Sequence, residues 1–221
     1  MESIKNVILN GLLADIKIAE QSFRLNKKIN ELYNENLQPL KKSIATIMSD
    51  LSYTEMVLSL ARIYDTPNKK YPTRCLKQLY LIIKESNYQI ALNDNKAESI
   101  LNLPYFGFEP STVELLRTSS DYDFNKRTTV RFEDIEINEP LFSCITELKD
   151  IRDKLLVHNE DAQVNSFIDY NKFEKLLEHA KNVASFYAIT YCGFRLKSGN
   201  NYYLADNTIH WENDFQRFIE E

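Results

Sequence analysis

Apolar runs of membrane-spanning length are missing from this 221-residue chain: none approaches the ~18 apolar residues that a span needs. The opening Met1-Glu2-Ser3-Ile4-Lys5-Asn6 has no apolar signal segment either, so a cytoplasmic protein without membrane attachment is expected. Cysteine is scarce. Cys75, Cys144 and Cys192 are odd in number, far apart and set in apolar helical patterns, which speaks for reduced core thiols and against a disulfide framework. With only four glycines and six prolines, and with 43% hydrophobic and 27% charged residues, the composition is that of a helix-rich globular chain rather than of disorder or repeats. No carboxylate and histidine cluster has metal-ligand spacing, so neither a metal nor another cofactor is expected. A broad basic surface is also lacking. The net charge is −5, and Lys27-Lys28, Lys41-Lys42, Lys69-Lys70 and Lys126-Arg127 are isolated pairs, so a nucleic-acid partner would have to be gripped by a few residues around a cleft.

What the chain does have is one amphipathic stretch that carries chemistry, Glu147 to Glu160. Leu141, Ile145, Leu148, Ile151 and Leu155 recur at three and four residues, the period of a single buried helix stripe. Arg152 lies at the edge of that stripe, with its stem along apolar surface and its guanidinium free to reach a cavity, a partner chain or an anion. Six residues later comes His158, followed by Asn159, Glu160 and Asp161, where the periodicity ends. Unpaired carbonyls at a helix end favour an imidazolium. On a straight helix the two side chains leave the axis about 9 Å and roughly 120° apart, too far for a direct bond but within joint reach of one phosphate. A surface arginine and a capping histidine on a plain helical scaffold is the competing reading of the same spacing.

Ile151-Arg152-Asp153-Lys154, three further residues and then His158 resembles the motif of the HEPN superfamily of small helical ribonucleases, and more narrowly its U-type abortive-infection branch. Ser59-Leu60-Ala61-Arg62-Ile63-Tyr64-Asp65 resembles a helical segment that precedes the motif in that branch. The resemblance covers about residues 1 to 195 and is specific only in these two patches. It implies an all-α, up-and-down bundle and metal-independent cleavage of RNA by attack of a ribose 2′-hydroxyl. Arg152 would clamp the phosphate, His158 would serve as general base or acid, and Asp153 would orient the pair, with Lys154, Asn159 and Glu160 as substrate-binding neighbours. A homodimer that brings two motif helices to one cleft is implied as well. So is a toxin or antiphage defence role, with a cognate antitoxin or defence-system protein as a further partner. Arg62 and Asp65 would help position the motif; the alternative is a surface pair and a helix stop. Other members carry a modified tyrosine two residues after the histidine; Glu160 stands there, so that control does not carry over. The alternative is a non-catalytic HEPN-like module that binds a nucleotide or a protein.

Along the chain, the bundle is expected over 1–197, with an irregular insertion over about 88–138 and an appendage over 198–221. Residues 3–36 read as one long amphipathic helix through Ile4, Ile8, Leu12, Ile16 and Phe23, absorbing Gly11. A second helix follows from Leu40, and Ser52-Tyr53-Thr54-Glu55 has the form of a capping box that starts a new helix or bend. Thr73 opens a third, with Leu76, Leu79, Tyr80 and Ile83 inward. Ser111 to Glu114 is another capping box, and Thr128 to Ile137 alternates enough to suggest a strand or, better, an extended loop. Tyr105, Phe106 and Phe108 are either core or base-stacking groups. Asn138 caps the motif helix, Asp169 caps the last long one, His179 beside its apolar face reads as a structural histidine rather than a catalytic one, and Trp211 and Phe215 dock the tail onto the bundle or a partner.

Overall fold

The computed structural model describes residues 2–33, 37–68, 74–92, 95–157, 167–198, 201–202 and 215–217. The fold is all-α. Helix α1 (Glu2–Val7), a π-helical turn (Ile8–Leu12) and α2 (Leu13–Leu32) run on without a break, and they bury the expected stripe of Ile4, Ile8, Leu12, Ile16 and Phe23. Gly11 has a packing reason. A Cβ there would lie 2.1 Å from Cβ of Arg74, whose guanidinium donates to the Asn10 carbonyl at 2.7 Å. Gly11→Ala is therefore expected to destabilise the fold by roughly 1–3 kcal/mol in denaturant titrations, because the overlap outweighs the gain in helix propensity.

Helix α3 (Pro39–Ile63) packs along α2 as the most extensive helix pair among the described residues. The expected break at Ser52 does not occur, since Ser52 lies inside α3 and is buried. Its hydroxyl donates to the Ser49 carbonyl (3.0 Å) and accepts from Asn26 Nδ2 on α2 (3.1 Å), so it ties two helices together instead of capping one. After α4 (Leu76–Glu85), which buries the four residues expected, come α5 (Asn95–Asn102), a 3-10 turn (Leu103–Phe106), α6 (Pro110–Arg117) and α7 (Asp121–Ile137). Thr73 lies outside the described residues.

The stretch expected to be irregular is thus largely helical, and Thr128 to Ile137 is neither strand nor loop. The inner face of α7 explains the misreading. Phe124, Thr128, Phe132 and Glu136 recur at helical spacing and are buried, but half of them are polar and satisfied internally. Thr128 Oγ1 donates to the Phe124 carbonyl at 2.8 Å, and Glu136 accepts from Tyr80 at 2.6 Å. An apolar period was never written there. Helix α6 starts at Pro110 rather than at Ser111, with no side-chain cap. Phe106 and Phe108 are core, packed on Phe186, while Tyr105 is exposed.

Helix α8 (Leu141–Val157) carries Arg152, and α9 (Tyr170–Tyr187) packs against α2, α3 and α8. Asn138 does not cap α8: its side chain donates to the Asp134 carbonyl in the last turn of α7, and only its main-chain oxygen reaches Phe142 N. Asp169 caps α9 as expected, accepting from Asn171 N at 2.7 Å. His179 is structural. Its Nδ1 lies 2.9 Å from the Tyr64 hydroxyl, Nε2 is buried, and burial pushes its pKa down to about 4, so the ring is neutral. A two-residue antiparallel pairing joins Lys197–Ser198 to Asn201–Tyr202, and Phe215 is buried against Ile29 and Ala45, while Trp211 lies outside the described residues. Among the described residues no helix is long and apolar enough to cross a membrane.

Candidate functional site

Helix α8 buries Leu148 and Ile151 against the bundle, which leaves Arg152 at the boundary between core and solvent. Its side chain retains only 19% of its exposure and is held at both ends of the guanidinium. Nε and Nη2 both donate to Asp153 Oδ1 at 2.8 Å, and Nη1 donates to Asp65 Oδ1 at 3.2 Å. Burial opposes the positive charge, but the hydrogen bond to Asp153 and the charge of Asp65 outweigh it and raise the pKa.

Asp65 is placed by the end of α3. Tyr64 is almost fully buried there and donates to the Leu176 carbonyl of α9 at 2.7 Å, which locks the turn that follows. Asp65 Oδ1 accepts from its neighbour Thr66 N at 2.9 Å, so the carboxylate is set before it meets Arg152. Arg62, by contrast, is turned away from the motif. It pairs with Asp15 at 2.9 Å and reaches Glu55 and Ser59.

Two cations were not singled out by the sequence. Lys149 is half-buried and its pKa is lowered, by burial first and then by Lys77 on α4; Asp65 opposes the shift and Arg152 adds to it. Lys149 stands three residues before Arg152, so both leave the same side of α8. That spacing was available in the sequence; the approach of Lys77 from α4 was not. Lys154, expected to bind substrate, is exposed, and Asp153 keeps 62% of its side-chain exposure while holding Arg152. His158, Asn159 and Glu160 lie outside the described residues. Among the described residues no group of three or more His, Cys, Asp or Glu could hold a metal ion.

The arrangement offers an arginine whose two partners are carboxylates of unequal grip. Asp65 follows the buried Tyr64 and is fixed by Thr66 N, whereas Asp153 projects into solvent and can yield its oxygen's place to another anion. Lys149 and Lys77 add positive charge beside it. Comparison with protein-family models, with curated proteins and with solved structures returns no match in any of the three.

Proposed function

We propose that the chain is a metal-independent endoribonuclease of HEPN-like, up-and-down bundle design, active in the cytoplasm as a homodimer and serving as a toxin or antiphage effector. The observation that carries this reading is the ion pair of Arg152 with Asp65 across 87 residues. The two patches on which the family resemblance rests are independent in sequence, and here they touch. In the reaction the ribose 2′-oxygen attacks the adjacent phosphorus while a base takes its proton. The bond to the 5′-oxygen breaks, an acid protonates that oxygen, and a cyclic phosphate remains. Arg152 neutralises the phosphorane's charge and His158 carries one of the protons, its symmetry mate the other. Asp153 releases part of the guanidinium to the phosphate, and Lys154, Asn159 and Glu160 lie along the substrate.

Cleavage of generic single-stranded RNA in EDTA, alongside a His158→Ala variant, tests this reading. Cleavage by the parent and a loss of at least 10²-fold in the variant are expected; equal inertness of both sinks the proposal. The engagement of Arg152 by two carboxylates favours the second reading, a non-catalytic module in which the guanidinium is structural. A thermal shift on adding nucleotides, without any cleavage, would select it.

A further inference from the structure

A cleft of roughly 610 Å³ opens between α2, α3 and the start of α9, within the range of small-molecule sites. Its walls are held by buried or shared hydrogen bonds. Asn26 Nδ2 donates to the Ser49 carbonyl at 2.8 Å, and Tyr170 donates to Asn26 Oδ1 and accepts from Asn30 at 2.5 Å. Tyr53, itself buried, accepts from Ile168 N at 3.0 Å and so fixes the strand of chain that presents Phe167. That phenyl ring is 69% exposed, yet it is set edge-on to Tyr53 with centroids 5.1 Å apart. A large apolar ring that is exposed at the lip of a cleft and set edge-on to a buried tyrosine is a stacking platform rather than core.

The charges select the ligand. The described lining contains no lysine, arginine or histidine, and it offers the carboxylates of Asp50 and Asp169. A phosphate is repelled there, whereas a flat ring bearing N–H donors is accepted. Building on the ribonuclease reading, we propose that this cleft is a nucleobase subsite, in which a base with an exocyclic amino group stacks on Phe167 and donates to Asp50. Tyr53 lies ten residues before the end of α3 at Ile63, so the cleft is roughly 15 Å along α3 from the turn that bears Asp65. The base it takes belongs to a nucleotide a few positions from the cut, and the subsite sets sequence preference rather than rate at the phosphate.

The test separates the subsite from the reaction. Binding of adenosine, cytidine, guanosine and uridine is titrated by calorimetry or NMR on the parent, on His158→Ala, and on Phe167→Ala, Phe167→Trp and Asp50→Asn, with melting temperatures confirming that each is folded. Aminated nucleosides are expected to bind parent and His158→Ala alike and more tightly than uridine. Phe167→Ala is expected to weaken them about 5- to 150-fold and Phe167→Trp to keep them, as stacking is worth ~1–3 kcal/mol per base. Asp50→Asn should narrow the preference over uridine. Nucleoside binding without any RNA cleavage would leave the subsite standing and remove the ribonuclease. RNA cleavage with no nucleoside binding, or with Phe167→Ala cutting every sequence as the parent does, overturns the subsite. Binding of a lysine-rich peptide, with no nucleoside bound, would reassign the cleft to a basic protein segment and overturn it equally.

Discussion

Arg152→Ala is expected to reduce single-turnover cleavage of RNA by about 10²–10³-fold, the scale lost when one fixed cation or donor is taken from a developing oxyanion. Arg152→Lys should recover binding more than rate, because an ammonium restores the charge without the planar fork that grips a phosphate in two places. The fold should hardly notice. Asp65 and Asp153 keep 36% and 62% of their side-chain exposure, so stripped of their partner they remain hydrated, and the ion pairs contribute no more than about 1 kcal/mol. A melting temperature close to the parent's beside a lost rate therefore identifies a catalytic arginine; a large fall in melting temperature with cleavage intact would make it a structural one.

Asp65→Asn separates the two carboxylates. The amide oxygen still accepts from Thr66 N, so the turn survives, but the charge that aims Arg152 is gone. A loss of rate smaller than in Arg152→Ala, with the affinity for RNA maintained or raised, is the expected pattern, since removing a negative charge beside Lys149 and Arg152 leaves the site more attractive to phosphate.

The helix that bears Arg152 was legible because its inner face is written in leucine and isoleucine, from Leu141 to Ile151, and nothing on that face needed a partner. Helix α7 was illegible for the opposite reason. Asn125, Thr128, Thr129 and Glu136 point inward there; Thr128 is satisfied by the Phe124 carbonyl of its own helix, and the other three by groups from elsewhere in the fold: the carbonyls of Tyr88 and Ile90, the hydroxyl of Tyr187 and the hydroxyl of Tyr80. A hydropathy pattern cannot register a hydrogen bond to a residue 58 positions away. The same limit applies to Ser52, whose local context is that of a cap and whose tertiary context is Asn26. At the site, Arg152 and Asp65 each sat in a recognisable patch, but Lys77 and the Phe167 platform depend on which helices become neighbours, and neither has a local signature.

Glu136→Gln is expected to stabilise the protein by about 2–3 kcal/mol at pH 8 and by almost nothing at pH 4. Glu136 is 5% exposed, and burial lifts its pKa from 4.5 to about 7 even though the Tyr80 hydroxyl, Lys77 and Lys149 favour the charged form and Glu133 opposes it. A carboxyl with a raised folded pKa binds its proton more tightly in the native state than in the unfolded chain. Its contribution to stability is therefore fully present below pH 4.5, declines as the pH rises from 4.5 to 7, and is flat above, for a total of about 3 kcal/mol. Glutamine keeps the oxygen that Tyr80 donates to and never ionises, so the alkaline decline disappears. Urea denaturation of parent and variant at matched pH values from 4 to 8 measures the difference, and His179, whose depressed pKa of about 4 costs stability only as the pH falls below 6.5, cancels between them. Tyr80→Phe should act in the other direction, removing the hydrogen bond that Tyr80 donates to the carboxylate and moving the upper edge of the window to higher pH. A difference that stays constant across this range would mean that Glu136 has the same pKa in the folded as in the unfolded chain, so that its charge beside Lys77 and Lys149 offsets its burial and the carboxyl is not held neutral.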